Sequence, residues 1–220
     1  MRRSSRSTIS FSIPKAASYS GELKNAKTGL IHAALTADQP SLVIVPVGIA
    51  YDLVLEDRIL AKQGVKKHQR PFTRELAEMV RYAVGYRTRV FVTFGPAIST
   101  SGCNPQSRSD VLGLTHLVRD RIGALYKVLP TAVFSAAMRP SVTRRELETR
   151  IDRLLDELGA RHANLGVTSG RDAIDEAADA LETRGIVVRE RGRFRVRDRA
   201  VLRYYARTIE HLLVAPAITH

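Results

Sequence analysis

Cysteine is almost absent from this sequence: Cys103 is the only one in 220 residues. That excludes an internal disulfide and fits a reducing compartment. Long apolar runs are missing as well. Nothing approaches the roughly eighteen apolar residues of a spanning helix, so an integral membrane protein is not expected. The basic start, Met1-Arg2-Arg3-Ser4-Ser5-Arg6-Ser7-Thr8, leads into no sustained apolar stretch and does not make a secretory signal. Acidic residues are few beside basic ones, 22 Asp+Glu against 35 Lys+Arg, for a formal charge of +13 and a pI near 10.4. Such a surface attracts polyanions, whether nucleic acid, anionic lipid headgroups or phosphorylated substrates, and does not choose between them.

Familiar site chemistry is also sparse. The six histidines, His32, His68, His116, His162, His211 and His220, have no Cys or close His partner at metal-ligand spacing. Cys103 lies in a Ser/Gly-rich stretch without a nearby base, which does not favour a nucleophile. No glycine-rich phosphate loop occurs. Neither a metal nor a resident cofactor is expected.

What remains is an ordinary globular composition, 44% hydrophobic and 26% charged, long enough for one large domain or two small ones. The most informative stretch is Ser41 to Asp52. Its first half is β-branched and apolar without a break, which predicts a strand buried on both faces, as in a parallel sheet. Pro46 interrupts it, and a proline belongs at an edge, bulge or strand end. A strand broken there, running on into Gly48 and Tyr51-Asp52, is a place for a site.

Residues 1–20, rich in Ser, Ala and basic residues, form an irregular lead-in, with a short strand candidate at Ile9–Ile13. Helical spacing predicts Thr28–Ala37, then a further helix through Val54, Leu55, Ile59 and Leu60, and another over Phe72–Gly85. Gln63–Pro71 between them is a basic loop. Arg89–Pro96 alternates and stops at Gly-Pro, as a strand does. After Ala97 the composition shifts: Ile98–Ser109 is a linker, and Asp110 caps a helix through Lys127. Pro130 interrupts before a short helix over Thr131–Met138. Ser141 or Thr143 caps Arg144–Leu158, closed by Gly159. Gly170–Arg184 is a helix, Ile186–Val196 a hairpin with a basic tip, and Ala200–Leu213 a closing helix.

The expected fold is an α/β front part with an incomplete sheet, residues 21–105, followed by a mainly helical region with a short β-hairpin, residues 106–220. Helix, helix and basic hairpin over residues 143–197 give a winged-helix-like outline. Asp172, Asp175, Glu176, Asp179 and Glu182 make its second helix acidic, which argues against a reader of the DNA major groove.

Several pieces together resemble a known family. Gly21-Glu22-Leu23 with Lys27-Thr28-Gly29-Leu30, then Val45-Pro46-Val47-Gly48-Ile49-Ala50-Tyr51-Asp52, then Phe91-Val92-Thr93-Phe94-Gly95-Pro96 are similar to the bacterial glycerol-3-phosphate acyltransferases. Leu147–Leu155 and the tail Ala200–Pro216 continue the resemblance, which covers about Gly21 to Pro216, the C-terminal part of a longer family chain. It implies an acyltransferase-type sheet and acyl transfer from acyl carrier protein or acyl-CoA to glycerol 3-phosphate, in phospholipid biosynthesis. The expected location is cytoplasmic, with the basic surface able to hold the chain on the anionic inner face of the cell membrane. The family uses four sequence blocks, and Val45-Pro46-Val47 matches the fourth, a proline-containing strand that contributes to substrate binding.

The departures carry as much weight. In the family, a His-x4-Asp pair supplies the general base, and no histidine here has an aspartate five residues on; His116 and Asp120 are one residue short. The third block, Glu-Gly-Thr-Arg-Ser-Arg-like, is expected just before Ser20-Gly21, where the sequence reads Ile13-Pro14-Lys15-Ala16-Ala17-Ser18-Tyr19. General-base help is worth ~10²–10⁴ in rate, so the resemblance without the base implies a truncated acyltransferase-like chain that is inactive alone. Two other readings stay open: a partner or regulatory module completing another acyltransferase chain, and a basic, winged-helix-like nucleic-acid-binding protein.

Overall fold

The computed structural model describes residues 21–25, 27–37, 42–54 and 89–214. The lead-in over residues 1–20, the Ile9–Ile13 strand, the basic loop Gln63–Pro71 and the Phe72–Gly85 helix lie outside these residues. So does all but Val54 of the helix expected after Tyr51.

Helix α1 (Thr28–Thr36) lays Ile31 and Ala34 toward α2 (Arg108–Leu125). Ile31 joins Leu114 and Val118 in a small apolar cluster edged by Ile44 and Ile98. Two chain segments pair antiparallel in front of α2. Strand β1 (Val43–Ile44) pairs with β4 (Ile98–Ser99), and β2 (Val47–Tyr51) pairs with β3 (Val90–Phe94). The expected linker therefore begins as a strand. Helix α2 is capped by Ser107, one turn before the predicted Asp110. Asp110 serves the cap instead: it accepts from the Ser107 hydroxyl and the Asn104 N–H, and these bonds hold its carboxyl below the usual range. The helix stops at Leu125, because Lys127–Val128 (β5) leave it to pair in parallel with Asn164–Leu165 (β7).

The second half is helical and contains the main core. Pro130 does not interrupt a helix but starts one, at the first position of α3 (Pro130–Ala137). There its missing N–H would have had no partner anyway. Strand β6 (Ser141–Thr143) turns directly into α4 (Arg144–Ala160). Thr143 and Glu146 form a capping box across that junction: the Glu146 carboxylate accepts from the Thr143 N–H and hydroxyl, both at 2.9 Å. Helix α5 (Gly170–Thr183) follows, capped by Ser169. Strands β8 (Val187–Glu190) and β9 (Arg193–Val196) close a three-stranded antiparallel sheet in the order β6-β9-β8. Arg191 and Gly192 turn that hairpin with positive φ of 49° and 73°, the conformation a two-residue hairpin turn needs.

The single closing helix expected over Ala200–Leu213 is two: α6 (Arg199–Arg207), capped by Asp198, and α7 (Glu210–Leu213). Fully buried Phe134, Leu147, Ile151, Leu158, Ile174, Leu181, Phe194 and Tyr205 knit α3–α6 and the hairpin into one core. The architecture is mixed α/β, with seven helices among the described residues and a helical C-terminal half. No helix among them is long and apolar enough to cross a membrane.

Candidate functional site

Pro46 is buried, and the register explains why a proline is tolerated. Two residues, Val45 and Pro46, separate Ile44 from Val47, whereas three, Gly95, Pro96 and Ala97, separate Phe94 from Ile98 on the opposing strand. The extra residue makes a β-bulge, and Pro46 sits opposite it, where its missing N–H breaks no ladder. Its carbonyl accepts from the Gly95 N–H at 2.9 Å. The layer beneath is tight. A Cβ on Gly95 would lie 2.9 Å from both the Pro46 ring and Leu125, and one on Gly48 would lie 3.0–3.1 Å from Leu125.

The ribbon is not buried on both faces. Opposed residues of an antiparallel pair share a face, so Val47/Phe94, Ile49/Val92 and Tyr51/Val90 form one apolar surface. Ile49, Tyr51, Val90 and Val92 are about half exposed and Phe94 is 71% exposed; Val45, beside Pro46, is also exposed. Gly48 and Ala50 on the other face are buried. The continuous apolar run pointed to two covered faces and a parallel sheet. The structure has an antiparallel ribbon with one face covered by α2, and the run's outward half is left open.

The far end of β2 is fastened to the helical half. The Arg89 guanidinium pairs with Asp52 and, at 2.6 Å, with Glu176 of α5. The hydrogen bond to Glu176, then that to Asp52, raises the Arg89 pKa further above its ordinary value. Thr131 of α3 donates to the Asp52 carbonyl at 2.8 Å, and the Val54 N–H donates to the Tyr205 hydroxyl at 3.0 Å. Tyr51-Asp52 thus anchors the ribbon.

Among the described residues, histidine supplies no base at this place. His116 and Asp120 stand on the exposed surface of α2, and Asp120 pairs with Arg119 at 2.9 Å. His32 and His162 are exposed. His211 is half-buried: its Nε2 lies 3.1 Å from the Gly123 carbonyl, its ring meets Tyr126 edge-on, and its Nδ1 has no partner among the described residues. The Cys103 thiol is pushed up by burial and secondarily by Asp110, away from a reactive thiolate. No group of three or more potential metal ligands exists among the described residues.

His211 gives a pH prediction. Burial first, then the charge of Arg119, pull its pKa below the ordinary value, against a bond to Gly123 that raises it. As pH falls through about 6.5, the unfolded chain takes up this proton before the folded one does. Stability from this site is therefore full above that pH and declines below it until the folded imidazole also protonates. Urea unfolding between about pH 7.5 and 5.5 should show a shallower decline for His211→Asn than for wild type. Equal slopes would remove His211 from the acid response.

Of the residues singled out in the sequence, the structure brings Val45, Pro46 and Val47 into the bulged ribbon with Gly95, and no histidine–aspartate pair stands beside them among the described residues. Sequence reasoning passed over Arg139, Arg145, Arg150 and Arg193, which converge on one cavity; the dense arginine usage was the only signal for them. No protein-family model matches the chain, and no curated protein matches it.

Proposed function

We propose that this chain is an acyltransferase-like polypeptide, similar to the bacterial glycerol-3-phosphate acyltransferases, that carries no catalytic base of its own. One observation carries the reading: the Pro46 strand is present as a built, bulged wall, while no histidine in the sequence has the aspartate that would orient it five residues on. A hydroxyl approaching such a wall keeps its proton, and the transfer loses the ~10²–10⁴ that a general base supplies. Pro46, with Val45 and Val47 beside it, is then a remnant of substrate-binding surface. The expected co-substrates of the family reaction are glycerol 3-phosphate and an acyl-CoA or acyl carrier protein.

Purified chain incubated with glycerol 3-phosphate and acyl donor is expected to give no acyl transfer above the buffer rate. Transfer that disappears in Pro46→Asp and is absent from a mock purification would overturn the reading.

A second reading, a module that completes another acyltransferase chain bearing the His-x4-Asp pair, is favoured by the open apolar face of β2 and β3. Exposed apolar surface of this kind marks an interaction site. Co-purification with such a chain, lost on Phe94→Lys, is its expected result. Nucleic-acid binding has less support. The element order of the C-terminal half follows the winged-helix outline, but Asp175 and Glu176 of α5 hold Arg144 and Arg89 at 2.6 Å. That helix presents carboxylates and intramolecular ion pairs where a groove reader presents free cations and amides. The basic surface would also favour an anionic membrane face.

A further inference from the structure

Several arginines of the C-terminal half are paired: Arg144 with Asp175, Arg189 with Glu182 and Arg197 with Glu190. One place gathers arginines with fewer carboxylates. Where the end of α3, strand β6, the first turns of α4 and the start of β9 meet, they border an open cavity of about 470 Å³. Four guanidinium groups line it: Arg139, Arg145, Arg150 and Arg193. Ser141, Thr143 and Thr149 add hydroxyls, and Glu146 is the one carboxylate.

The four cations are held differently. Arg150 donates its Nε to the Ala137 carbonyl at 2.7 Å, and Arg193 donates its Nε to the Ser141 hydroxyl at 3.0 Å. These bonds fix two guanidinium planes at the cavity wall. Arg139 and Arg145 are exposed, and their guanidinium groups make no hydrogen bond or ion pair among the described residues. Glu146 balances one of the four cations: its carboxylate caps α4 and pairs with Arg193 at 3.5 Å. Arg139, Arg145 and Arg150 have no carboxylate partner among the described residues. Planar guanidinium forks match a phosphate oxyanion, which accepts several charge-assisted hydrogen bonds at once, and the Ser141 hydroxyl, which accepts from Arg193, keeps its own proton to donate. The cavity is open to solvent, and its volume lies in the range of small-ligand clefts.

We propose that this cavity binds a phosphate group, carried either by a soluble phosphorylated molecule or by an anionic lipid headgroup. It is built from elements other than the Pro46 ribbon and does not depend on the acyltransferase reading.

Pyrophosphate and vesicles containing phosphatidic acid are suitable probes for the full chain, with calorimetry and vesicle flotation as readouts. Arg139→Ala/Arg145→Ala removes the two unpaired cations without touching the core. Arg121→Ala/Arg203→Ala removes the same charge from exposed positions elsewhere. Saturable pyrophosphate binding that weakens by about tenfold or more in the first double variant, and little in the second, is the expected result. Binding to pyrophosphate alone assigns a soluble ligand. Vesicle binding that pyrophosphate displaces assigns a headgroup. Equal losses in both double variants would reduce the effect to net charge and overturn the proposal. So would absence of binding to either probe, or binding only to duplex DNA.

Discussion

Phe134→Ala is expected to cost about 3–5 kcal/mol of folding stability, because truncating a fully buried aromatic loses both its transfer energy and the packing around the void. Phe134 is completely buried and meets Phe194 edge-on, ring centres 5.4 Å apart, which joins α3 to β9 in the main core. Arg189 covers the far ring, 4.9 Å from the Phe194 centroid. A domain of this size is stable by only about 5–15 kcal/mol, so the variant would sit near its unfolding threshold. Urea unfolding followed by circular dichroism checks the loss, with Phe134→Leu as the partial truncation. A loss below about 1 kcal/mol would mean that the site collapses around the void or that the two rings do not pack as described.

Gly48→Val is the second large effect, and it concerns the Pro46 ribbon. Gly48 is the floor of that ribbon: any side chain there meets Leu125, including its backbone, and backbone cannot swing aside. Overpacking at such a contact typically costs about 1–3 kcal/mol. The expected outcome is a ribbon lifted from α2, seen as faster amide exchange across Val47–Tyr51 and Val90–Phe94 and a lower urea midpoint. Gly113→Val is the control, since a Cβ on Gly113 meets nothing within 4 Å. Unchanged exchange in Gly48→Val would place the ribbon further from Leu125 than described and weaken the case for Pro46 as part of a built wall.

Elements with a local chemical signature were legible in the sequence. Ser141 or Thr143 marked the start of α4, which the structure assigns to Thr143, and the hairpin with its basic tip was visible over Ile186–Val196. The helical stripe Leu147, Ile151, Leu155, Leu158 is the buried face of α4. What escaped depends on partners distant in sequence. Lys127–Val128 and Asn164–Leu165 are too short to announce themselves as strands and exist because they pair with each other. Pro130 was misread because a proline ends one helix and begins another with the same residue type. At the candidate site, Pro46 signalled a broken strand, but the bulge belongs to Gly95–Ala97 across the ladder and needs the register to be seen. The arginine cavity was illegible for a related reason: each of its cations comes from a separate stretch that is unremarkable alone.

The strand order β6-β9-β8 has a consequence for how the chain emerges during synthesis. The central strand of this sheet, Arg193–Val196, is the last of the three to be made, so Ser141–Thr143 must wait for a partner about fifty residues further along. In that interval α3, α4 and α5 can pack, while β6 is an unpaired edge. An unpaired edge is a template for pairing with other chains. Its length of three residues and the immediate turn into the capped α4 leave little backbone on offer. The brevity of β6, which hid it in the sequence, also shields the nascent chain.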